Sequence, residues 1–150
     1  MALVTALTAM LMMLAIGAGA ALNTTTEATI AANHRDAIQT LYAAEAGIEL
    51  AISRLRTTGD WSAAAPNPAG TVLVQGPLAD LLQISAVDPR FVVAASVFPD
   101  PNAAPDVLIV RSIASGAGGI RRGIEVTLRR APPIEGATTR RIETLSWRER

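Results

Sequence analysis

Residues 1–22 read MALVTALTAMLMMLAIGAGAAL, and this stretch decides the architecture that the rest of the chain can adopt. It contains no charged side chain, and the first ionisable side chain is that of Glu27. A helix of this length spans about 30 Å, the thickness of the hydrocarbon core of a bilayer. Its only polar side chains, Thr5 and Thr8, can bond back to helix carbonyl oxygens. The stretch therefore predicts a membrane-spanning helix; a buried helix of a soluble protein and a cleaved secretory signal are the alternatives.

The helical pattern continues beyond this apolar segment. Residues 27–56 contain no Pro and one Gly, Gly47, and they are rich in Ala, the strongest helix former. Gly59 is predicted to end the helix. Apolar residues recur at helical spacing and predict a stripe that faces a compact domain: Ile38, Leu41, Ile48, Ile52 and Leu55. The sequence thus predicts one long helix, membrane-spanning over residues 1–22 and amphipathic over residues 23–57.

The remaining residues, 58–150, are predicted to form a small β-rich distal domain. Runs rich in β-branched residues predict strands at residues 71–74, 91–98, 106–114 and 119–129. A short helix is expected at residues 78–84, and the glycine-rich residues 115–119 are expected to connect a hairpin.

The last predicted strand shows which side of the sheet is buried. Ile124, Val126 and Leu128 alternate with polar residues, as in a strand with one buried face, and we expect them to pack on the helix stripe. The predicted fold is therefore α+β: a long N-terminal helix packed on a small antiparallel sheet. Pro132–Pro133 is expected to end the sheet, and residues 142–147 are expected to form a tail that docks back through Leu145 and Trp147.

Charge is distributed unevenly along the chain. Residues 1–110 hold four Arg and nine acidic residues, whereas residues 111–150 hold nine Arg and four acidic residues. The basic residues come as separated pairs with almost no aromatic residues between them, so we expect exposed Arg paired with acids and no nucleic-acid partner. All thirteen basic residues are Arg, a bias typical of high-GC bacterial coding. There is no Cys, so packing rather than disulfides must stabilise the domain.

The sequence offers little for catalysis or cofactor binding. The single histidine, His34, has Arg35 and Asp36 beside it, and such neighbours point to different sides of a helix. The glycine run at 115–119 lacks the Lys and Ser/Thr of a phosphate-binding loop. No ligand spacing typical of zinc or calcium sites occurs. We expect no enzymatic activity, no cofactor and no metal.

Three stretches of the first 60 residues carry a family resemblance: MALVTAL at 1–7, EATIAANHR at 27–35 and LYAAEAGIELA at 41–51. Together they resemble the PilX N-terminal-domain minor pilins of type IV pili. The resemblance implies a pilin-like fold and a structural role in filament assembly. It also points to five helix residues that match the family motifs: Asn33, Arg35, Glu45, Gly47 and Glu49.

The same resemblance implies partners and a location. The partners would be other pilin or pseudopilin subunits, inner-membrane lipid, and a prepilin peptidase if a leader lies upstream. The subunit would cross the bacterial inner membrane once and then enter a periplasmic or extracellular filament. The residues expected to pack in the membrane and in the filament core are Met1, Leu3, Val4, Thr5, Leu7, Leu11, Leu14, Ala15 and Gly19.

Position five departs from the pattern of major pilins, which carry Glu there, whereas this chain has Thr5. The resemblance implies that this Glu neutralises the N-terminal amine of a neighbouring subunit, so Thr5 favours a minor, assembly-priming or tip role. A K-type-like minor pseudopilin of a type II secretion system fits the same feature and stays an alternative. A single-pass membrane protein with a periplasmic ligand-binding domain is a second alternative.

Overall fold

The computed structural model describes residues 1–131 and 141–150, and its first element is a single helix, α1, that spans Ala2–Thr57. This continuity agrees with the Ala-rich, Pro-free sequence, and Arg54 and Arg56 in the last turn complement the negative end of the helix dipole. Two compact units divide the chain, Met1–Arg35 and Asp36–Arg150. The division falls within α1, so its residues 36–57 belong to the second unit. The boundaries expected from composition, at residues 22 and 57, stay a prediction.

The second unit contains a five-stranded antiparallel sheet in which every strand pairs with its neighbours along the chain. The strands are β1 (Thr71–Pro77), β2 (Val92–Pro99), β3 (Val107–Ser115), β4 (Arg121–Arg130) and β5 (Ile142–Glu149). Two short helices, α2 (Trp61–Ala64) and α3 (Leu78–Leu82), precede and follow β1, and a 3₁₀ turn (Ala117–Gly119) joins β3 to β4. The α+β class predicted from the sequence is confirmed.

The core lies between one face of the sheet and the last turns of α1. The sheet contributes alternate residues of β2 and β4, among them Val93, Val97 and Val126, each with no exposed surface. The helix contributes Thr40, Ala43, Ala44, Gly47, Ile48, Ala51, Ile52 and Leu55. Of the stripe predicted from the sequence, Ile48, Ile52 and Leu55 are buried here together with Ile124 and Leu128.

Two residues of the predicted stripe lie at or beyond the margin of this core. Ile38 is 38% exposed and Leu41 is only partly buried. Beside Ile48, Ile52 and Leu55, the buried face of α1 consists largely of small residues: Ala43, Ala44, Gly47 and Ala51. Large apolar side chains at helical spacing do not reveal such a face, because the residues that pack closely against a sheet are small.

The C-terminal segment differs from the expectation of a docked tail. It forms β5, which pairs with β4 from Ile124↔Glu149 to Arg130↔Ile142 and so adds an edge strand. Leu145 and Trp147, expected to anchor the tail, stay 49% and 50% exposed, so the backbone ladder rather than these side chains holds the segment. Pro132–Pro133, expected to end the sheet, lies outside the described residues.

Candidate functional site

Within the first unit, residues 1–22 present an apolar helix surface on every side. All residues from Met1 to Arg35 are exposed, and the large apolar side chains between Met1 and Leu22 include Leu3, Val4, Leu7, Met10, Leu11, Met12, Met13, Leu14 and Ile16. By length and composition this is a helix that could cross a membrane. A helix that is apolar all round needs lipid or other apolar helices around it, because exposing its apolar side chains to water is unfavourable.

The polar side chains of this segment satisfy themselves. The Thr5 hydroxyl donates to the carbonyl oxygen of Ala2 at 2.8 Å, and the Thr8 hydroxyl donates to that of Thr5 at 2.9 Å. Neither hydroxyl therefore needs water or a partner side chain inside lipid. Position five consequently brings neither charge nor an unmet hydrogen bond into an apolar surrounding.

Small residues in the same segment leave room for a neighbouring helix. A methyl group added at Gly17 or Gly19 would meet nothing within 4 Å apart from its chain neighbours and the adjacent backbone of its own helix. Ala15 and Gly19 form a small-xxx-small pair, a spacing that permits close helix approach in membranes. Packing of another subunit against Ala15 and Gly19 stays a prediction.

Four threonines follow the apolar segment within α1. The hydroxyls of Thr24, Thr25, Thr26 and Thr29 donate to carbonyl oxygens three or four residues earlier, at 2.8 to 3.0 Å. The Asn23 amide donates to Glu27 Oε1 at 3.0 Å. This is the polar end of the segment that lipid can accommodate, because the first charged group appears here.

The family-motif residues of the second unit differ in what they contact: Gly47 packs on the sheet, whereas Glu45 and Glu49 do not pair with a described residue. Gly47 is buried against the sheet, and a methyl group there would overlap Ser112 Oγ of β3 and Val93 Cγ1 of β2. Glu45 is half-buried and Glu49 is exposed, and neither makes an ion pair with a described residue. Gly47 therefore serves the helix–sheet contact, whereas both glutamates stay available to other molecules.

The contact at Gly47 leaves a polar group unsatisfied. Ser112 Oγ is fully buried and has no hydrogen-bond partner among the residues that the structure describes. A second close approach lies nearby, where a methyl group at Gly116 would overlap Thr40 Oγ1, whose hydroxyl donates to Asp36 O at 2.7 Å. These contacts make the small residues of α1 a packing surface for the sheet.

The outer face of the sheet carries a group of charges that sequence analysis did not assemble. Arg111 donates to Glu125 Oε2 at 2.8 Å, and Arg150 approaches the same oxygen at 2.9 Å. Burial acts to raise the pKa of Glu125, but the two guanidinium groups outweigh it and hold that pKa below its ordinary value. The sequence predicted a hairpin at residues 115–119, and the register of β3 and β4 in that hairpin places Arg111 opposite Glu125.

The described part of the chain offers no cluster of metal-ligating side chains. His34 is exposed on α1, and no group of three His, Cys, Asp or Glu side chains among residues 1–131 and 141–150 is arranged to hold a metal ion. One ion pair is local: Arg90 binds Asp88 through hydrogen bonds that lower the pKa of Asp88 to about 2.

Comparison with known families bears on the N-terminal part. Residues 1–49, about a third of the chain, match the family model PilX N-terminal. These residues are thus a PilX-like type IV pilin N-terminal domain, which confirms the resemblance seen in the sequence. The pilin family is structural rather than enzymatic. No curated protein and no solved structure matches the chain.

Proposed function

We propose that this chain, whose residues 1–49 are a PilX-like type IV pilin N-terminal domain, is a minor pilin subunit that primes assembly or occupies the tip of a type IV pilus. The observation that carries the proposal is the uncharged, fully exposed helix of residues 1–22 inside the family match. Such a surface can be buried in lipid before assembly and among the helices of other subunits afterwards. Both states remove the same apolar area from water.

Thr5 supports the priming or tip role over a repeating role. In a bundle of apolar helices an N-terminal amine is costly unless a carboxylate neutralises it. A subunit that carries Glu at position five can neutralise the amine of a subunit already in place. Thr5 is uncharged and bonded to its own helix, so this subunit is suited to be first, with no amine ahead of it to neutralise.

Membrane anchorage follows from the same segment. We infer a single crossing of the bacterial inner membrane by residues 1–22, with residues 36–150 outside lipid. Ala15 and Gly19 would then contact neighbouring helices in the membrane or in the filament core. The K-type-like pseudopilin role shares these features, and it differs in that its filament stays in the periplasm.

Fractionation of cells that assemble surface pili tests the proposal. We expect the chain in the inner membrane and, in a few copies, in filaments sheared from the cell surface. Quantitative mass spectrometry against the major subunit gives the copy number. A chain found in the membrane and never in sheared filaments would contradict the pilus role, and its presence in periplasmic secretion filaments would favour the pseudopilin.

A further inference from the structure

The two edges of the sheet differ in how well they are covered. At the β1 edge, Arg54 of α1 donates to the carbonyl oxygen of Leu73, and the strand contains a bulge and ends at Pro77. Proteins use such features to prevent further strands from pairing with an edge. At the opposite edge, β5 has eight residues, contains no Pro and pairs with β4 alone among the described strands. The outward backbone groups of β5 are therefore open to another strand.

A bulge in β5 places two opposite charges on the same face of the sheet. Glu143 and Arg148 are separated by an odd number of residues, so they would lie on opposite faces of a regular strand. The pairing with β4 skips Leu145, and this extra residue brings both side chains to the outer face, the side away from α1. Glu143 lies opposite Arg129 in β4. Arg148 lies opposite Glu125.

The charges of the outer face form two rows that end at β5. The first row consists of Arg111, Glu125 and Arg148 on β3, β4 and β5. The second row ends in Arg129 and Glu143, whose side chains are joined by a hydrogen bond of 2.7 Å. Arg148 is exposed and makes no ion pair with a described residue. The first row therefore presents a positive charge at the open edge, and the second row presents a negative one.

We propose that β5 pairs with β5 of a second copy of this chain, in antiparallel orientation and with Glu143 of each strand opposite Arg148 of the other. A two-fold axis perpendicular to the sheet relates the two copies, so both contacts form together. The first row of one copy then meets the second row of the other, and positive and negative charges alternate across the joined sheet. A register shifted by one residue would set Glu143 opposite Glu149, a like-charged pair that is unfavourable.

The same register covers the exposed apolar side chains of β5. Leu145 and Trp147 are 49% and 50% exposed. Trp147 lies opposite Val126, on the face of the sheet that carries α1, and the second copy sets its Thr144 on the other side of Trp147. Leu145 lies at the centre of the pairing, opposite Ser146 of the second copy. Any strand could cover these side chains, whereas the charge pattern is complementary to β5 itself.

The two-fold axis also restricts where the second copy can be. It reverses every direction within the plane of the sheet, so residues 36–57 of α1, which pack on the two sheets, run in opposite directions in the pair. Subunits that follow one another head to tail in a filament run in the same direction. The second copy is therefore not a neighbour in the same filament, and the pairing goes beyond the proposed function.

Disulfide trapping tests the register, because the chain contains no Cys. Full-length Glu143→Cys and Arg148→Cys chains are purified in detergent, mixed and oxidised. In the mixed pair the two cysteines lie opposite each other, at the separation that a disulfide needs, while the other contact keeps both charges. We expect a disulfide-linked heterodimer from the mixture and much less linked dimer from either variant alone.

The control for this trapping is Val72→Cys, because Val72 is exposed on the covered β1 edge. Its mixture with Arg148→Cys reports any linkage that arises from association elsewhere, such as contact between the apolar segments. A linked dimer of Glu143→Cys with Arg148→Cys that does not exceed this control would overturn the inference.

Sedimentation equilibrium of the full chain in detergent measures the contribution of the charges. We expect a reversible dimer whose dissociation constant rises at least about fivefold in Arg148→Glu, which sets like charges opposite each other. Arg56→Glu makes the same change of charge at an exposed position of α1 and should leave the dissociation constant unchanged. A wild type that stays monomeric, or equal dissociation constants for Arg148→Glu and the wild type, would overturn the inference and leave the pilus role standing. If the dimer forms as expected but the chain never enters sheared filaments, the pairing stands and the pilus role fails.

Discussion

Gly47 shows how one small residue sets the distance between a helix and a sheet. It lies on α1 opposite Ser112 and Val93, at a separation that leaves no room for a methyl group. The sequence marked Gly47 only as part of a family motif. Its role follows from tertiary contact, because nothing along the helix itself requires glycine at this position.

Gly47→Ala is expected to destabilise the protein, although Ala is the better helix former by about 1 kcal/mol. The added methyl group must displace Ser112 or Val93 in a closely packed core, and such overpacking costs about 1–3 kcal/mol. Urea unfolding of a fragment that lacks residues 1–26 measures the difference. Gly59→Ala is the control, since a methyl group there meets nothing within 4 Å. A Gly47→Ala variant more stable than the wild type would show that the contact is not tight.

Thr5→Glu tests the residue that distinguishes this chain from major pilins. We expect the substitution not to increase the number of copies in filaments, because a tip subunit has no amine ahead of it to neutralise. An unpaired carboxylate at this depth costs roughly 2–3 kcal/mol in lipid, so membrane insertion should fall or stay equal. Copies per filament are counted by quantitative mass spectrometry, with Thr5→Ser as control. More copies of Thr5→Glu than of the wild type would contradict this expectation, and an abundant wild-type subunit along the whole shaft would contradict the tip role.

At the scale of elements, α1 behaves differently over its two parts. Its first part was predictable, because an uncharged run of this length has few structural alternatives. In its last third, large apolar residues predicted the direction of the buried face, and Ile48, Ile52 and Leu55 do lie in the core. The width of that face was not predictable, because Ala and Gly give no periodic signal in an Ala-rich helix. Ile38, which the pattern placed in the stripe, lies outside the core.

Truncation of both Ile48 and Ile52 to Ala is expected to unfold or strongly destabilise the fragment that lacks residues 1–26. Both side chains are buried against the sheet, and each truncation should cost about 2–5 kcal/mol. Thermal and urea unfolding measure the loss. Ile38→Ala is the matched control on the same helix, and we expect a smaller effect because Ile38 is partly exposed. Equal melting temperatures for the double variant and the wild type would show that this stripe is not the core.

Ion pairs across the outer face of the sheet predict that the free energy of unfolding decreases at low pH. Arg111 and Arg150 hold the pKa of Glu125 below its ordinary value, and Arg129 does the same for Glu143. A carboxyl whose pKa is lowered by folding contributes stability above its unfolded pKa and loses it as pH falls through the folded pKa. We therefore expect stability to hold from pH 7 to about 5 and to decline below about 4.5.

Glu125→Gln isolates this contribution. The variant should be less stable than the wild type at pH 7, and the difference should shrink as the pH falls below the ordinary carboxyl range. Urea unfolding of the same fragment at several pH values measures it. Glu143→Gln is the comparison, with a smaller effect because its pair with Arg129 is more exposed. A wild-type-to-variant difference that does not change with pH would contradict the ion-pair explanation.

For the whole molecule, the family match and the apolar helix lead to one expectation about maturation. We expect the mature protein to keep residues 1–22, because the proposed function uses them as its membrane and filament segment rather than as a removable signal. Intact mass and N-terminal sequencing of protein extracted from its native membrane measure this. A mature chain that begins after Ala21, as a conventional signal peptidase would produce, would contradict the pilin-like assignment.

The sequence by itself determined the elements that rest on local patterns. An uncharged, Pro-free N-terminus specified the long helix, alternation in residues 124–128 specified a strand with one buried face, and the family motifs indicated the pilin-like N-terminal domain. Only the tertiary structure decided the fifth strand, the closeness of Gly47 to the sheet and the pairing of Arg111 and Arg150 with Glu125. The physical reason is that these features depend on partners distant in the chain. The charged edge strand Ile142–Glu149 has no buried face of its own, so its conformation is specified by the hydrogen bonds that β4 offers.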